Sequence, residues 1–364
     1  MTDVETVIVG AGQAGLATAQ RLRSRGRECV VLERSQQIGD NWRQQWDSLR
    51  LYTPARFDGL PGTRFPADPW TFPTKDAVAD YLQGYASRWD LPVRLGVRVH
   101  KLTRQPGHGF VVATDGGPVS CDNVVVATGT FGRTPAIPSC AAELDQAILQ
   151  MHSSEYRRPG QLRDGPVVVV GASHSGTDIA YELAATRQTT LVGRDCGEIP
   201  IRLESRLTPL VFPVLMFTWR HVLTRRTRMG RRQVAAIRFH GGPMLRIKRA
   251  ALAARGVVRN EARVEGVRDG LPLLADGSTV DAATVIWATG FRQAFDWIEL
   301  PVVGSDGWPR EHRGASDDMP GLYFCGLSFQ YAFSSMLLAG AGRDADHIAR
   351  CIAGRTRHRD RRSS

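Results

Sequence analysis

The sequence predicts an α/β protein with two Rossmann-like dinucleotide-binding domains. Three observations carry this expectation. An apolar strand breaks into a glycine turn at "VIVGAGQAG", residues 7–15, and another does so at "VVVVGASHSG", residues 167–176. Two further apolar strands, "VVVATGT" (Val124 to Thr130) and "VIWATGF" (Val285 to Phe291), close on the same Ala-Thr-Gly.

The first turn places Gly10, Gly12 and Gly15 in G-x-G-x-x-G spacing between the strand "TVIVG" and the helical run "QAGLATAQRLRSRG". Gly10 permits the tight turn, and Gly12 lets a pyrophosphate approach the backbone. Gly15 lets helix and strand pack closely, while the helix N-terminus supplies the anion site. A second strand, "ECVVLE", ends in Glu33, a residue type that accepts hydrogen bonds from a ribose 2′-hydroxyl.

The second copy puts Gly171, Ser173 and Gly176 in the same three places. Its next strand, "TTLVGR", ends at Arg194. Glu33 and Arg194 each stand 23 residues past the first glycine of their turn, so the acid is read as replaced by a cation. Glu33 would repel a 2′-phosphate; Arg194 would bind one. The two turns thus select two dinucleotides, one with a free 2′-hydroxyl and NADPH. Ser173 narrows the backbone approach, though its hydroxyl could itself bond the phosphate; the bland alternative is an ordinary packed strand-to-helix turn.

Composition narrows the remaining classes. The chain has 364 residues, 42% apolar and 23% charged, the balance of a soluble globular protein. The start "MTDVET" reads as neither secretory signal nor transit peptide, and "LTPLVFPVLMFTW" (Leu207 to Trp219) is too short to span a bilayer, so a cytoplasmic protein without an integral membrane span is expected. Six scattered cysteines form no C-x-x-C, which removes a metal knuckle and a dithiol redox centre. The net charge of +11 concentrates in "RHVLTRRTRMGRR" and in the tail "RTRHRDRR". Neither interleaves aromatic residues, and no nucleic-acid partner is expected.

Two dinucleotides in one chain make sense when one is a flavin that the other reduces. The Ala-Thr-Gly strands make the chain resemble two-dinucleotide-binding-domain flavoproteins, from about Val4 to Arg350. Within them, "IGDNWRQQWDSLRLYTP" (Ile38 to Pro54) resembles the flavin-proximal stretch of class B flavoprotein monooxygenases, the flavin-containing monooxygenases and their relatives. Their G-G-x-W reads here Gly39, Asp40, Asn41, Trp42. Their F-x-G-x-x-x-H-x-x-x-(Y/F) is half kept: His152 and Tyr156 fit, while Gln146 and Ile148 stand at the Phe and Gly places. Baeyer–Villiger relatives carry Trp-Pro where Tyr156 stands.

The resemblance implies an NADPH domain (157–288) inserted in an FAD domain (1–156 and 289–350), followed by a basic, disordered tail (351–364). Besides the residues above it implies cofactor contacts from Gln13, Ala14, Arg34, Val99, Thr128, Gly129, His174, Ser175, Thr289, Gly290 and Gly326. "FSSMLL" is expected to open a helix at Ser334 and Ser335, facing the flavin. Relatives place an asparagine beside the flavin near Tyr52, whose hydroxyl either takes that role or whose ring merely walls the site. His152 is assigned to positioning the NADPH domain. The implied reaction transfers one O2 oxygen atom, through C4a-hydroperoxyflavin, to sulfur or amine nitrogen of a small organic substrate. An NADPH oxidase or flavin reductase, or a flavin redox sensor, fits the same motifs. The run from Leu207 to Arg232 is expected to pack on protein near the flavin cleft rather than on a membrane, with Pro209 and Pro213 breaking any long helix; a homodimer contact there stays open.

Overall fold

A computed structural model describes residues 2–105, 109–129 and 134–355. Thr130 and residues 356–364 lie outside the described residues, while residues 351–353, expected from sequence to open the disordered tail, end the last helix instead. The chain opens with β1 (Thr2–Val9), α1 (Gln13–Arg23), β2 (Val30–Leu32) and α2 (Asp40–Arg43). Next come α3 (Lys75–Arg88), β3 (Val93–Arg94), β4 (Val99–Arg104), β5 (Phe110–Thr114) and β6 (Val119–Val126). After the short β7 (Thr134–Pro135) follow β8 (Leu149–His152), β9 (Val167–Val170), α4 (His174–Leu183) and β10 (Thr189–Val192). The helices α5 (Thr208–Phe217), α6 (Arg228–Phe239) and α7 (Arg249–Ala254) precede β11 (Val258–Asn260), the hairpin β12 (Val264–Arg268) and β13 (Leu271–Leu274), and β14 (Thr284–Trp287). The chain then runs through β15 (Phe291–Arg292), β16 (Glu311–His312), β17 (Ala315–Ser316), β18 (Leu322–Phe324) and α8 (Leu338–Ala353).

Two sheets organise these elements. The larger has the order β16-β17-β18-β6-β1-β2-β3, with β4 and β5 attached through β6. The smaller is β11-β10-β9-β14-β8, parallel throughout. The last strand of the large sheet, β18, pairs with β6 across the whole length of the inserted unit. The insertion expected from sequence is therefore the observed topology. One strand falls elsewhere than a break at 156 implies: β8, before that point, is an edge strand of the small sheet. A four-residue run of mixed pattern, "LQMH", gives no signal of which sheet it joins.

The central strands read Val-rich because both faces are covered. Val167, Val168 and Val169 are fully buried, as are Val124 and Val125. Cys29 and Cys325 lie one residue outside β2 and β18; both are buried, and burial pushes each thiol up to about 12.

Contrary to expectation, the prolines do not break α5. Pro209 sits in its first turn, where a missing N–H is no loss, and the helix runs through Pro213 into a π turn over Thr218–Val222. The inner side of α5 packs Phe212 and Met216 with Phe72, Leu203 and Leu245, and Tyr52 borders the same cluster. Arg225 and Arg238 converge on buried Glu311 of β16, tying the segment after α5 to the first domain. The segment packs on protein, as expected, but only by one face.

Candidate active site

The first glycine turn leaves β1 at Gly10, which has φ 105°, a left-handed value that favours glycine. A Cβ on Gly15 would stand 1.9 Å from the Gly10 carbonyl oxygen, so helix and turn touch backbone to backbone. A Cβ on Gly12 would meet nothing within 4 Å. Gly15 is thus required by packing, whereas Gly12 faces space of the kind a pyrophosphate needs. Gln13 and Ala14 form the first turn of α1. The Glu33 carboxylate accepts from the Ala11 N–H at 2.8 Å and from the Ser35 N–H at 2.9 Å. It braces the turn and keeps acceptor capacity for a ribose hydroxyl. Arg34 is exposed beside it, and Val99 stands two residues past Val97, whose N–H donates to the Glu33 carbonyl.

The second turn repeats this geometry. Gly171 has φ 112°, and a Cβ on Gly176 would stand 1.7 Å from its carbonyl oxygen. The strand register, however, corrects the sequence count by one. Val9 pairs with Leu32 and Val170 with Val192, so the structural counterpart of Glu33 is Gly193. Arg194 comes one place later, opposite Arg34, and is exposed. The path from α4 to β10 is one residue shorter than that from α1 to β2, which a count from glycine to strand end cannot detect. The chemistry survives the correction: the acid's place is empty of side chain, and an arginine follows it.

Ser173 does not present a free hydroxyl. Its Oγ donates to the Gly242 carbonyl at 3.0 Å, in a loop that also stands against the next residue. A Cβ on Gly241 would come within 2.7 Å of the Ser173 Cβ, and one on Gly242 within 2.8 Å of the His174 ring. Gly241 and Gly242 were not singled out from sequence; the adjacent pair in "HGGP" was the available signal. With that hydroxyl engaged, the polar groups left at this turn are the backbone N–H groups at the start of α4, where His174 and Ser175 lie. His174 Nε2 is buried without a hydrogen-bond partner, and burial holds the imidazole down at about 4, neutral at physiological pH.

Each Ala-Thr-Gly runs beneath its own glycine turn. Ala127 N–H donates to the Val9 carbonyl, and Ala288 N–H to the Val170 carbonyl. A Cβ on Gly10 would lie 2.8 Å from the Ala127 oxygen; on Gly171, 2.3 Å from that of Ala288. These contacts keep Gly10 and Gly171 without a side chain, and a Cβ on Gly15 or Gly176 would stand 3.4 or 3.3 Å from the Ala127 or Ala288 methyl, which leaves no room for a larger residue there. Thr128 and Gly129 follow the first alanine, and the Thr289 hydroxyl donates to Ala136 at 2.7 Å. The two crossings between the sheets pair as β7 with β15. His152 fastens them: Nε2 donates to the Gly290 carbonyl at 2.9 Å, and the ring meets Phe291 edge-on at 4.8 Å. Tyr156 is fully buried and donates to Glu182 on α4 at 2.7 Å.

Between the two turns lies the stretch from Trp42 to Asp58. Trp42 is half-buried and packs against cores of both domains; Asn41 beside it is exposed. The Tyr52 hydroxyl donates to Asp178 Oδ2 on α4 at 2.8 Å, and its ring lies 5.2 Å from that of His174. Arg246 closes the group. Its guanidinium lies 5.3 Å from the Tyr52 ring centroid, 3.9 Å from Asp178, and donates to the Leu51 carbonyl at 2.7 Å. Burial raises Asp178 to about 6 despite Arg246 and the Tyr52 bond. Tyr52 therefore stitches the first domain to the second.

Removing that hydroxyl tests the stitch. Tyr52→Phe should cost about 1–3 kcal/mol above pH 6, where Asp178 is ionised, and less below it. Urea melts of both proteins on either side of that value check the difference. Equal cost at both would mean that the bond does not depend on the carboxylate.

Asp58 was not singled out from sequence, since a lone loop aspartate carries no spacing signal. It is fully buried, accepts from Thr53 Oγ1 at 2.6 Å, and its Oδ2 has no hydrogen-bond partner. A cavity of about 440 Å³, walled in part by Phe57, Leu60 and Arg220, adjoins it. Another of about 360 Å³ opens between Trp70, Phe72 and the first turn of α5.

The serines correct a further expectation. Ser334 and Ser335 do not begin the long helix but lie buried on a 3-10 turn, Phe333–Met336, before it. Ser335 Oγ accepts from the Tyr331 and Ala332 N–H groups, and Ser334 Oγ from Arg343. The free helix N-terminus belongs to Leu338, because Leu337 is still extended. Gly326, at φ 85°, backs onto Ala14, bringing this end of the chain to the first turn.

The profile described as pyridine nucleotide-disulphide oxidoreductase matches residues 7–243. A CzcO-like oxidoreductase of Geobacillus kaustophilus is 35% identical over 95% of this chain and 97% of its own. Indole-3-pyruvate monooxygenase YUCCA1 of rice, Oryza sativa subsp. japonica, is 29% identical over 98% of this chain and 93% of its own. Among solved structures, a flavin-containing monooxygenase from Stenotrophomonas maltophilia superposes with a TM-score of 0.75 at 25% identity, covering 97% of this chain and 98% of that one.

Proposed function

The chain belongs to the pyridine nucleotide-disulphide oxidoreductase family, and from that premise we infer that it is an FAD-dependent monooxygenase driven by NADPH. One observation carries the reading: two equivalent glycine turns, one backed by Glu33 and the other by Gly193 and Arg194, linked by Tyr52 and His152. FAD fits the first, where Gly12 leaves room and Glu33 offers acceptors; NADPH fits the second. Bound FAD would supply hydride acceptance and, once reduced, activation of O2. The net reaction consumes NADPH, a proton and O2, and yields NADP+, water and the oxygenated substrate. Disulfide chemistry has no support in this member: its cysteines are free, none are spaced as C-x-x-C, and burial raises their thiols.

The protein's own part is binding, orientation and exclusion of water. Gly10, Gly12 and Gly15 would seat one pyrophosphate, and the first turn of α4 the other. His152 fixes the crossing at Gly290, and neutral His174 adds no charge beside the nicotinamide-nucleotide seat. Tyr156, at the place where Baeyer–Villiger relatives carry Trp-Pro, supports oxygen transfer to sulfur or amine nitrogen of a small substrate.

Coenzyme choice tests the assignment of the second turn. Arg194→Ala should lower the preference for NADPH over NADH by about tenfold or more, since a charge-assisted phosphate contact is worth about 1.5–3 kcal/mol. Steady-state kcat/KM for both coenzymes, in both proteins, is the measurement. An unchanged ratio would remove Arg194 from the 2′-phosphate site.

A further inference from the structure

The geometry points to the outer face of α5 as a docking surface for an anionic lipid bilayer. Leu207, Leu210, Val214 and Phe217 are 61%, 72%, 66% and 59% exposed. At 100° per residue they fall within an arc of about 80°, opposite the buried Phe212 and Met216. His221, in the π turn that follows, extends the stripe, its ring 4.8 Å from that of Phe217. Four large apolar side chains gathered on one exposed helix face are a patch that water disfavours.

Charge selects the occupant. From Ser205 to Asn260 the sequence has no Asp or Glu, but twelve Arg and one Lys, more than the whole chain's net charge of +11. Arg206, Arg226, Arg228 and Arg232 are exposed and, among the described residues, make no ion pair. A two-fold contact between copies would set this patch against itself, cation facing cation. A surface that is anionic at its rim and apolar just beneath is what an acidic bilayer offers, and a helix with this pattern lies in the headgroup boundary. No helix among the described residues is long and apolar enough to cross a membrane, so the attachment is interfacial.

The test uses the full-length, flavin-loaded protein with vesicles of phosphatidylcholine alone and of phosphatidylcholine containing about one-third phosphatidylglycerol. Co-sedimentation at moderate salt should be at least about tenfold greater with the acidic vesicles. Leu210→Ser/Val214→Ser/Phe217→Ser should reduce it by about tenfold or more. Arg226→Gln/Arg228→Gln/Arg232→Gln should abolish the preference for acidic over neutral lipid. All six side chains are exposed, so flavin content and melting temperature should be unchanged and serve as the folding control. Equal pelleting with both lipids, or acidic-vesicle binding by the triple serine protein at the parent level, would overturn the proposal. So would a dimer in sedimentation velocity that the serine changes dissolve while the parent ignores vesicles.

Discussion

A Gly15→Ala protein is expected to lose its fold and its flavin together, while Gly12→Val folds and stays colourless. The two glycines are three residues apart in one turn, yet they face different things. A methyl at Gly15 would stand 1.9 Å from the Gly10 carbonyl oxygen, a backbone atom that cannot swing aside. Strand β1 and helix α1 would have to separate in the middle of the main core, where Ile8, Leu16 and Ala17 are fully buried. Overpacking typically costs about 1–3 kcal/mol and occasionally more, and a backbone contact this short belongs at or beyond the top of that range, a large share of a stability of about 5–15 kcal/mol. Gly12 has ordinary extended torsions, and its added side chain meets no protein atom. Valine there should leave the melting curve of the apoprotein within about 1 kcal/mol of the parent and block the pyrophosphate. Flavin absorbance per chain and thermal melts separate the two effects. A yellow Gly12→Val protein would mean that the turn holds no dinucleotide.

The second large effect concerns Asp58. Burial pushes its carboxyl up to about 8, against the pull of the Thr53 bond and of Arg220. In the unfolded chain the same group titrates near 3.9. Between those values the native state keeps a proton that the unfolded state has released, so stability falls as pH rises, by up to about 1.4 kcal/mol per pH unit. The contribution is fully favourable at low pH and is exhausted above about 8. Asp178, at about 6, adds to the slope only below that value, and His174, at about 4, acts in the opposite direction as pH falls from its ordinary range. His152, His174 and His347, all held below their ordinary value by burial, also shape the interval from about 6 to 8, so the difference between the parent and Asp58→Asn profiles is what isolates Asp58. Asp58→Asn, fixed in the neutral form, should flatten the stability profile there, removing most of a fall of about 2–3 kcal/mol between pH of about 6 and about 8. Parallel profiles would show that Asp58 is ionised at neutral pH, with water or a cation at Oδ2.

Much of this was legible in the chain itself. A glycine turn is a local event, and the strand, turn, helix and strand around Gly10 and around Gly171 each lie within a short window. The insertion followed from the resemblance that the two Ala-Thr-Gly strand ends carry, each lying directly below a glycine turn. What escaped depended on partners distant in sequence. Arg194 was assigned to the wrong register because the loop before β10 is one residue shorter, and only strand pairing with β9 reveals that. From sequence the Ser173 hydroxyl reads as free, because its acceptor, Gly242, is 69 residues away. Tyr52 reads as flavin-facing in the chain, but its bond partner Asp178 lies on the second domain. Asp58 looked like any loop acid until burial closed around it. Pro209 and Pro213 read as breaks because their usual effect is local, whereas the packing of Phe212 and Met216 carries the helix through them.

If the chain is the monooxygenase proposed, NADPH and O2 are spent on the substrate and not on peroxide. The most direct measurement follows NADPH consumption, hydrogen peroxide and sulfoxide together in one reaction with a small sulfide under labelled O2. Coupled oxygenation should leave about one labelled oxygen in sulfoxide for each NADPH oxidised, with peroxide a minor product. NADPH consumption matched mole for mole by peroxide, with no label in any sulfide, amine or ketone offered, would contradict it and leave an oxidase.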